Sequence, residues 1–90
     1  MSIGSGAVQG YPACVRAHAA SLAACAVRID DDAVVLAGRV REALGHWSGP
    51  AAEAFRSYAA ALDAARAEAS TALRRAADRL REHASALEAV

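Results

Sequence analysis

The chain has 90 residues, which is enough for one small domain. Its ten arginines are balanced by ten acidic residues, there is no lysine, and the formal net charge is zero. A nucleic-acid-binding domain carries a basic face, so the balanced charge argues against a nucleic-acid partner. No apolar run approaches the roughly 20 residues that a transmembrane helix needs, so we expect no stable membrane insertion.

Alanine dominates the composition, with 27 residues against 17 for leucine, isoleucine, valine and phenylalanine together. Alanine is the strongest helix former, so the composition predicts an all-α fold. The larger apolar residues are too few for a thick core, and two helices form only one layer. We therefore expect the chain to complete its core against another chain.

The sequence predicts a flexible N-terminal segment at residues 1–11, where small residues and glycines predominate. A first helix is expected over about 12–45, because Pro12 suits the first turn of a helix. Apolar residues then recur every seven positions in two rows, which is typical of the seam of an antiparallel hairpin or coiled coil. The rows are Val15, Leu22, Ile29 and Leu36, and then Ala19, Ala26, Ala33, Val40 and Trp47.

Three consecutive aspartates, Asp30 to Asp32, interrupt this helical pattern. Aspartate is a poor residue for a helix interior. One interpretation is a solvated face on a continuous helix. The other is a break, with an aspartate capping a second segment that begins at Ala33. The run does not match a calcium loop, which needs alternating ligands, a glycine and a distant glutamate.

A stretch from Gly45 to Pro50 separates the two helical regions and contains the only tryptophan. Glycine and proline are the strongest local signals for a turn, here predicted at 46–50. We expect Gly45 to close the first helix in a left-handed conformation. Ser48 or Gly49 is expected to cap the next helix, with Pro50 in its first turn.

A second helix is predicted over about 51–88. Its apolar row consists of Phe55, Ala59, Leu62, Ala69, Leu73, Ala76, Leu80 and Leu87. Arg66 also falls in this row, so its charged end must reach solvent or meet a partner. The spacing predicts same-helix ion pairs for Asp63–Arg66, Arg74–Asp78 and Arg79–Glu82. The predicted fold is an antiparallel helix-turn-helix hairpin over 12–90, which pairs with a second hairpin into a four-helix bundle.

The sequence predicts no catalytic residue, no metal site, no cofactor and no enzyme activity. His18, His46 and His83 are scattered and lack metal-ligand spacing. Cys14 and Cys25 are about 16 Å apart along one helix, which is too far for a disulfide between them. They are interpreted as small buried apolar residues, or as cysteines that pair across a dimer interface.

The triplet Trp47-Ser48-Gly49 and the continuation to Phe55 resemble the signature of the WXG superfamily. That superfamily comprises the small helical-hairpin substrates of type VII secretion, including the early-secreted-antigen-type proteins of actinobacteria. The resemblance covers residues 12–90 in architecture and 47–55 in motif. It implies export of a folded dimer by a type VII secretion ATPase, from the cytoplasm and without a cleaved signal peptide. It also implies that Trp47, Ser48 and Gly49 form the surface recognised for export.

The resemblance implies that the partner is another WXG-type protein. The expected hairpin and dimer interface consists of Val15, Leu22, Ile29, Leu36, Val40, Phe55, Leu62, Leu73, Leu80 and Leu87. The family's export tail, Tyr-x-x-x-Asp or Tyr-x-x-x-Glu, does not follow the second helix here, since the last tyrosine is Tyr58. We therefore expect a heterodimer whose partner supplies the tail, with a homodimer as the alternative.

Two other functional hypotheses stay open. The chain could be a cytosolic adaptor or targeting chaperone of the same shape that delivers a larger type VII effector or toxin. It could also be a structural coiled-coil module in which Trp47 only fills the core.

Overall fold

A computed structural model describes residues 2–90, with side chains described for residues 10–90. Two long helices, α1 at Ser2–Leu44 and α2 at Pro50–Glu88, account for nearly all of this part of the chain. They pack side by side in an antiparallel hairpin that measures 72 × 15 × 14 Å. The predicted all-α hairpin is confirmed, and its pairing into a four-helix bundle stays a prediction.

The first helix begins ten residues earlier than the sequence predicts. Helix α1 starts at Ser2, and Pro12 lies inside it. An interior proline removes one helical hydrogen bond, which usually ends or kinks a helix. Here Pro12 is buried, so its packing offsets part of that cost. Met1 lies outside the described residues, and the flexibility expected for 1–11 stays a prediction.

The aspartate run does not break the first helix, because α1 is continuous through it. Asp31 and Asp32 are exposed, as the solvated-face interpretation requires. Asp30 instead reaches across to Arg74 of α2. The interpretation with a second segment beginning at Ala33 is therefore wrong.

The contact between the helices is made by very small side chains. Five residues, which we call the alanine seam, are buried at this contact: Ala19, Ala26, Ser70, Ala77 and Ala84. Within each helix they follow one another at seven-residue spacing, so they share one face. Small residues at a contact let two helix axes approach closely. Val15 is the only valine, leucine, isoleucine or aromatic side chain that is buried within the described part of the chain.

The predicted apolar row of α2 does not lie at the centre of this contact. The residues of α2 that are buried are Ala52, Ser70, Ala77 and Ala84, none of which belongs to that row. At 100° per residue, Leu73 and Leu80 lie about 40° and 60° around the helix from Ala77. A hydrophobic pattern indicates which face of a helix is buried. It does not show whether that face contacts the same chain or a partner. The alanines lie where the two helices contact each other, and the leucines lie to one side of this contact.

Two ion pairs among the described residues connect the helices, one near the end of the hairpin far from the turn and one near its middle. Arg16 contacts Glu88 at 2.6 Å and also donates a hydrogen bond to the Ser85 hydroxyl at 3.1 Å. Asp30 and Arg74 form the second pair. Each pair is partly exposed, so its contribution to stability is small.

The three predicted same-helix ion pairs are absent from the described residues. Arg74 contacts Asp30 of the other helix instead of Asp78, and Asp78 pairs with Arg81 at 3.2 Å. Exposed pairs differ by only a few tenths of a kcal/mol, so a carboxylate within reach on the neighbouring helix can displace one on the same helix.

The folded chain exposes an unusually large surface. Its accessible area is 6570 Å². A compact monomer of this mass would expose about 4,900 Å². In the described part of the chain no large side chain is fully buried. The hairpin thus leaves much apolar surface in contact with water.

Candidate functional site

Backbone hydrogen bonds close α1 at the turn. The Gly45 N–H donates to the carbonyls of Arg41 at 3.0 Å and Glu42 at 3.2 Å, and the His46 N–H donates to Ala43 at 3.2 Å. These bonds tighten the last turn toward 3₁₀ geometry. Within the described residues, positive φ is found at Gly49 and not at Gly45. The expectation of a left-handed Gly45 is therefore wrong.

Gly49 sets the direction in which α2 departs. It is the N-cap residue, with φ 103° and ψ −177°, and Pro50 follows in the first turn. This backbone region is almost restricted to glycine, because any Cβ is strained there. The Gly49 carbonyl accepts the Glu53 N–H at 3.0 Å. No side chain caps α2, so Gly49 and not Ser48 takes the cap position.

Trp47 lies outside both helices and packs against the start of α2. Its ring centroid is 5.9 Å from that of Phe55, with the ring planes tilted by 46°. The side chain remains 45% exposed. One side of the indole is thus held by the protein, and the other is available to a partner.

A cleft of about 490 Å³ opens between the helices next to this turn, and we call it the turn cleft. Its lining residues are Ala33, Leu36, Ala37, Val40, Arg41, Leu44, Phe55, Arg56, Tyr58, Ala59, Ala60, Leu62, Asp63 and Arg66. The alanine seam ends at Ala26 on α1 and Ser70 on α2, before this region. The cleft therefore opens on the turn side of the seam.

Sequence reasoning missed several residues of the turn cleft, among them Tyr58, Leu44 and Arg41. Tyr58 follows Phe55 by three positions, which places both on one side of α2. That spacing could have identified it. Leu44 could have been found in the same way from Val40. No sequence signal indicates that a cleft opens here, since that depends on how the two helices pack.

The predicted interface residues differ in their exposure. Val15 is buried, whereas Leu36 and Phe55 are each 38% exposed and Leu62 is 44% exposed. The other six, Leu22, Ile29, Val40, Leu73, Leu80 and Leu87, are half-buried. The hairpin alone therefore leaves nine of the ten in partial contact with water.

These nine residues form one surface, which we call the apolar face. At 100° per residue, the four on α1 fall within a sector of about 40°, as do the five on α2. Leu36 and Val40 line the turn cleft together with Phe55 and Leu62, so the two sectors lie on the same side of the hairpin. The described structure thus presents a continuous apolar strip beside the alanine seam.

In the described part of the chain, no three histidine, cysteine or acidic residues are grouped so that they could hold a metal ion. Cys14 is exposed and Cys25 is half-buried, both as free thiols, so Cys14 is not buried within the hairpin and a pairing across a dimer interface stays a prediction. His83 is exposed and meets the ring of Tyr11 edge to face at 6.4 Å. Among the described helices, none has the length and apolar character needed to cross a bilayer.

Comparison with known proteins gives one match. The model of the WXG100 family, described as proteins of 100 residues with WXG, matches residues 8–90. Searches of curated proteins and of solved structures found no match. The match covers most of α1, the turn and α2, and the Trp47-Ser48-Gly49 triplet lies within it. The chain therefore belongs to the WXG100 family of small helical proteins associated with type VII secretion.

Proposed function

We propose that this protein is a substrate of a bacterial type VII secretion system and is exported as a folded pair with a second WXG-type protein. The observation that carries the proposal is the position of Trp47, half-exposed in the turn of a hairpin that the family model matches over residues 8–90. The role is one of pairing and export rather than catalysis. Export starts from the cytoplasm.

The turn residues Trp47, Ser48 and Gly49 act as the surface recognised by the secretion ATPase. Support comes from the way the turn is fixed: Phe55 holds one side of the indole, and the Gly49 backbone fixes the chain direction. A large aromatic side chain that packs on one side and is open to solvent on the other is the kind of residue that dominates binding energy at interfaces.

The apolar face is the surface that pairs with the partner hairpin to give a four-helix bundle. Support comes from the nine large apolar side chains that the hairpin leaves partly exposed. A second WXG-type protein fits this face better than a second copy, because each copy would bring the same charged Arg66 to the contact. We therefore propose a heterodimer, with the homodimer as the alternative.

An export assay in a host with a working type VII system tests this function. We expect the wild-type chain in the culture medium, and none when the secretion ATPase is inactivated. Trp47→Ala should abolish export while the helical content and the pairing with the partner stay unchanged. Trp47→Phe is the matched control, and it should retain part of the export because it keeps an aromatic contact with Phe55.

Other outcomes would identify the competing hypotheses. A wild-type chain that stays in the cytosol while a larger effector leaves the cell would identify an adaptor. A Trp47→Ala variant that unfolds, and loses export only for that reason, would identify a structural module in which the indole fills the core.

A further inference from the structure

We infer that the turn cleft binds an amphipathic helix with acidic flanks, in which large apolar side chains enter the cleft and carboxylates meet Arg66 and Arg41. The inference rests on the proposed pairing function, because it specifies the chemistry of the partner at the same surface. Two independent features of the cleft carry it: its unfilled apolar lining and its excess of arginine.

The apolar lining requires large side chains from the occupant. Leu36, Phe55 and Leu62 are each more than a third exposed along the cleft, and Tyr58 is 67% exposed. In the other half of the hairpin, alanines already close the contact between the helices. An occupant made only of small residues would leave the cleft of about 490 Å³ largely empty. Empty space at an apolar contact lowers the binding energy, because the lining atoms lose dispersion contacts.

The charges along the cleft are unequal, with three arginines against one acidic residue, Asp63. Arg56 is paired with Glu53 of its own helix. Arg41 and Arg66 take part in no ion pair among the described residues, although Asp63 lies only three positions from Arg66. The cleft therefore has positive charge that the described chain does not neutralise.

Arg66 is the arginine whose charge most restricts the occupant, because it is already half-buried in the apolar row of α2. Any helix that covers the cleft removes further water from its guanidinium. A charge that is buried without a partner is strongly unfavourable, whereas arginine pairs well with a carboxylate in bidentate geometry. An occupant with acidic residues beside its apolar ones satisfies Arg66, and an occupant with basic residues is repelled.

Other occupants fit these observations less well. A second copy would bring its own Arg66 and Arg41 to the contact. An anionic membrane surface binds helices with a strongly basic polar face, whereas this chain has zero net charge. The acidic helix is the occupant that satisfies both the apolar lining and the arginines.

Two synthetic helical peptides test the inference with the full chain. Both carry the same leucines on one face, and they differ only in having glutamate or lysine at every flanking position. Binding is followed by calorimetry and by the fluorescence of Trp47, which contacts the cleft residue Phe55. We expect the glutamate peptide to bind at least about tenfold more tightly at low salt, with the difference shrinking at high salt.

Charge reversal at the cleft should reverse the preference. Arg66→Glu is expected to favour the lysine peptide. Arg79→Glu is the matched control, since Arg79 is exposed on the same helix and lies outside the cleft lining. It should leave the preference for the glutamate peptide unchanged.

Three results would overturn the inference: equal binding of both peptides, binding of neither, or a dimer of the chain alone that excludes both. Arg66-dependent binding to anionic vesicles in place of the glutamate peptide would overturn it as well. If the peptides show no preference while Trp47-dependent export persists, only this inference fails. If the preference is found but the chain is not exported, the proposed function fails and the cleft assignment stands.

Discussion

Among single residues, Gly49 adopts a backbone conformation that would be strained for any residue with a Cβ atom. We expect Gly49→Ala to lower the free energy of unfolding by about 1–3 kcal/mol, since φ 103° with ψ −177° is nearly exclusive to glycine. Urea denaturation followed by circular dichroism measures the change. Nothing lies within 4 Å of the position that a Cβ would take at Gly49, so backbone strain and not a clash causes the loss.

Gly38 supplies the control for this substitution, because it lies inside α1 with open space around it. Gly38→Ala should stabilise the hairpin by about 0.5–1 kcal/mol, as alanine is the better helix former. Equal effects of the two substitutions would contradict the role assigned to the Gly49 backbone.

Asp30 should make the stability of the hairpin depend on pH. Hydrogen bonding from the Ser70 hydroxyl and then from the Arg74 guanidinium lowers the pKa of the Asp30 carboxyl below its ordinary value. A lowered pKa in the folded state adds stability above the ordinary aspartate pKa, and that stability is lost as the pH falls through the folded-state value. Wild type should therefore be more stable than Asp30→Asn at neutral pH, and the difference should vanish in acid.

Thermal unfolding between neutral pH and about pH 2 measures this difference, since the range spans the ordinary aspartate pKa. Asp31→Asn is the control, because Asp31 is exposed and forms no ion pair within the described residues. A difference between wild type and Asp30→Asn that persists unchanged in acid would rule out the carboxylate as its source.

At the scale of the helices, the alanine seam sets how closely α1 and α2 approach. Ala77 is fully buried at this contact, so Ala77→Leu must push the helices apart or force strained rotamers. We expect a loss of about 1–3 kcal/mol in the free energy of unfolding. Ala72→Leu on the exposed side of α2 should change stability by less than about 0.5 kcal/mol. Chemical denaturation of the two variants compares them directly.

Much of this helical organisation could be predicted from the sequence, because it follows from local rules. High alanine content and seven-residue spacing predict two long helices, and the glycines and proline around Trp47 predict the turn. The start of α1 was missed, because the packing that lets Pro12 sit inside a helix is a tertiary effect. The glycine with positive φ was also misassigned, since Gly45 and Gly49 carry the same local signal.

The candidate site could be predicted only in part. The large apolar residues were assigned to an interface, but their displacement from the alanine seam could not be read from the pattern. Alanine carries two signals at once, helix formation and close packing, so sequence alone cannot show that Ala77 and Ala84 make the closest contact. Ion pairs between helices, such as Asp30–Arg74, require the register of the hairpin, which no local rule supplies.

At the scale of the whole molecule, the apolar face should contribute more to pairing than to the hairpin. Leu62 is 44% exposed and Leu80 is half-buried in the single chain, so a partner that covers them buries further apolar surface. We expect each of Leu62→Ala and Leu80→Ala to weaken pairing with the WXG-type partner by about tenfold, which corresponds to about 1.4 kcal/mol. Calorimetric titration of the purified chains measures the affinity.

The control is Val34→Ala. Val34 is 74% exposed. Positions two apart in a helix differ by about 200° around its axis, so Val34 lies on the opposite side of α1 from Leu36. Pairing affinity should be unchanged in this variant. A comparable loss at Val34 would mean that the partner covers a different side of the hairpin.

The shape of the hairpin makes the geometry of pairing measurable. The chain is a rod with a radius of gyration of 20.5 Å and extents of 72 × 15 × 14 Å. Pairing through the apolar face places two rods side by side, which doubles the mass while the long dimension and the radius of gyration change little. Pairing end to end through the exposed Trp47 turns would nearly double the radius of gyration.

We expect small-angle X-ray scattering of the purified pair to give the side-by-side result, because nine large apolar side chains lie along the length of the rod and far fewer lie at its tip. That geometry would leave Trp47 exposed in the pair and free to bind the export machinery. An end-to-end pair would bury the turn, so Trp47 could not serve as the surface recognised for export.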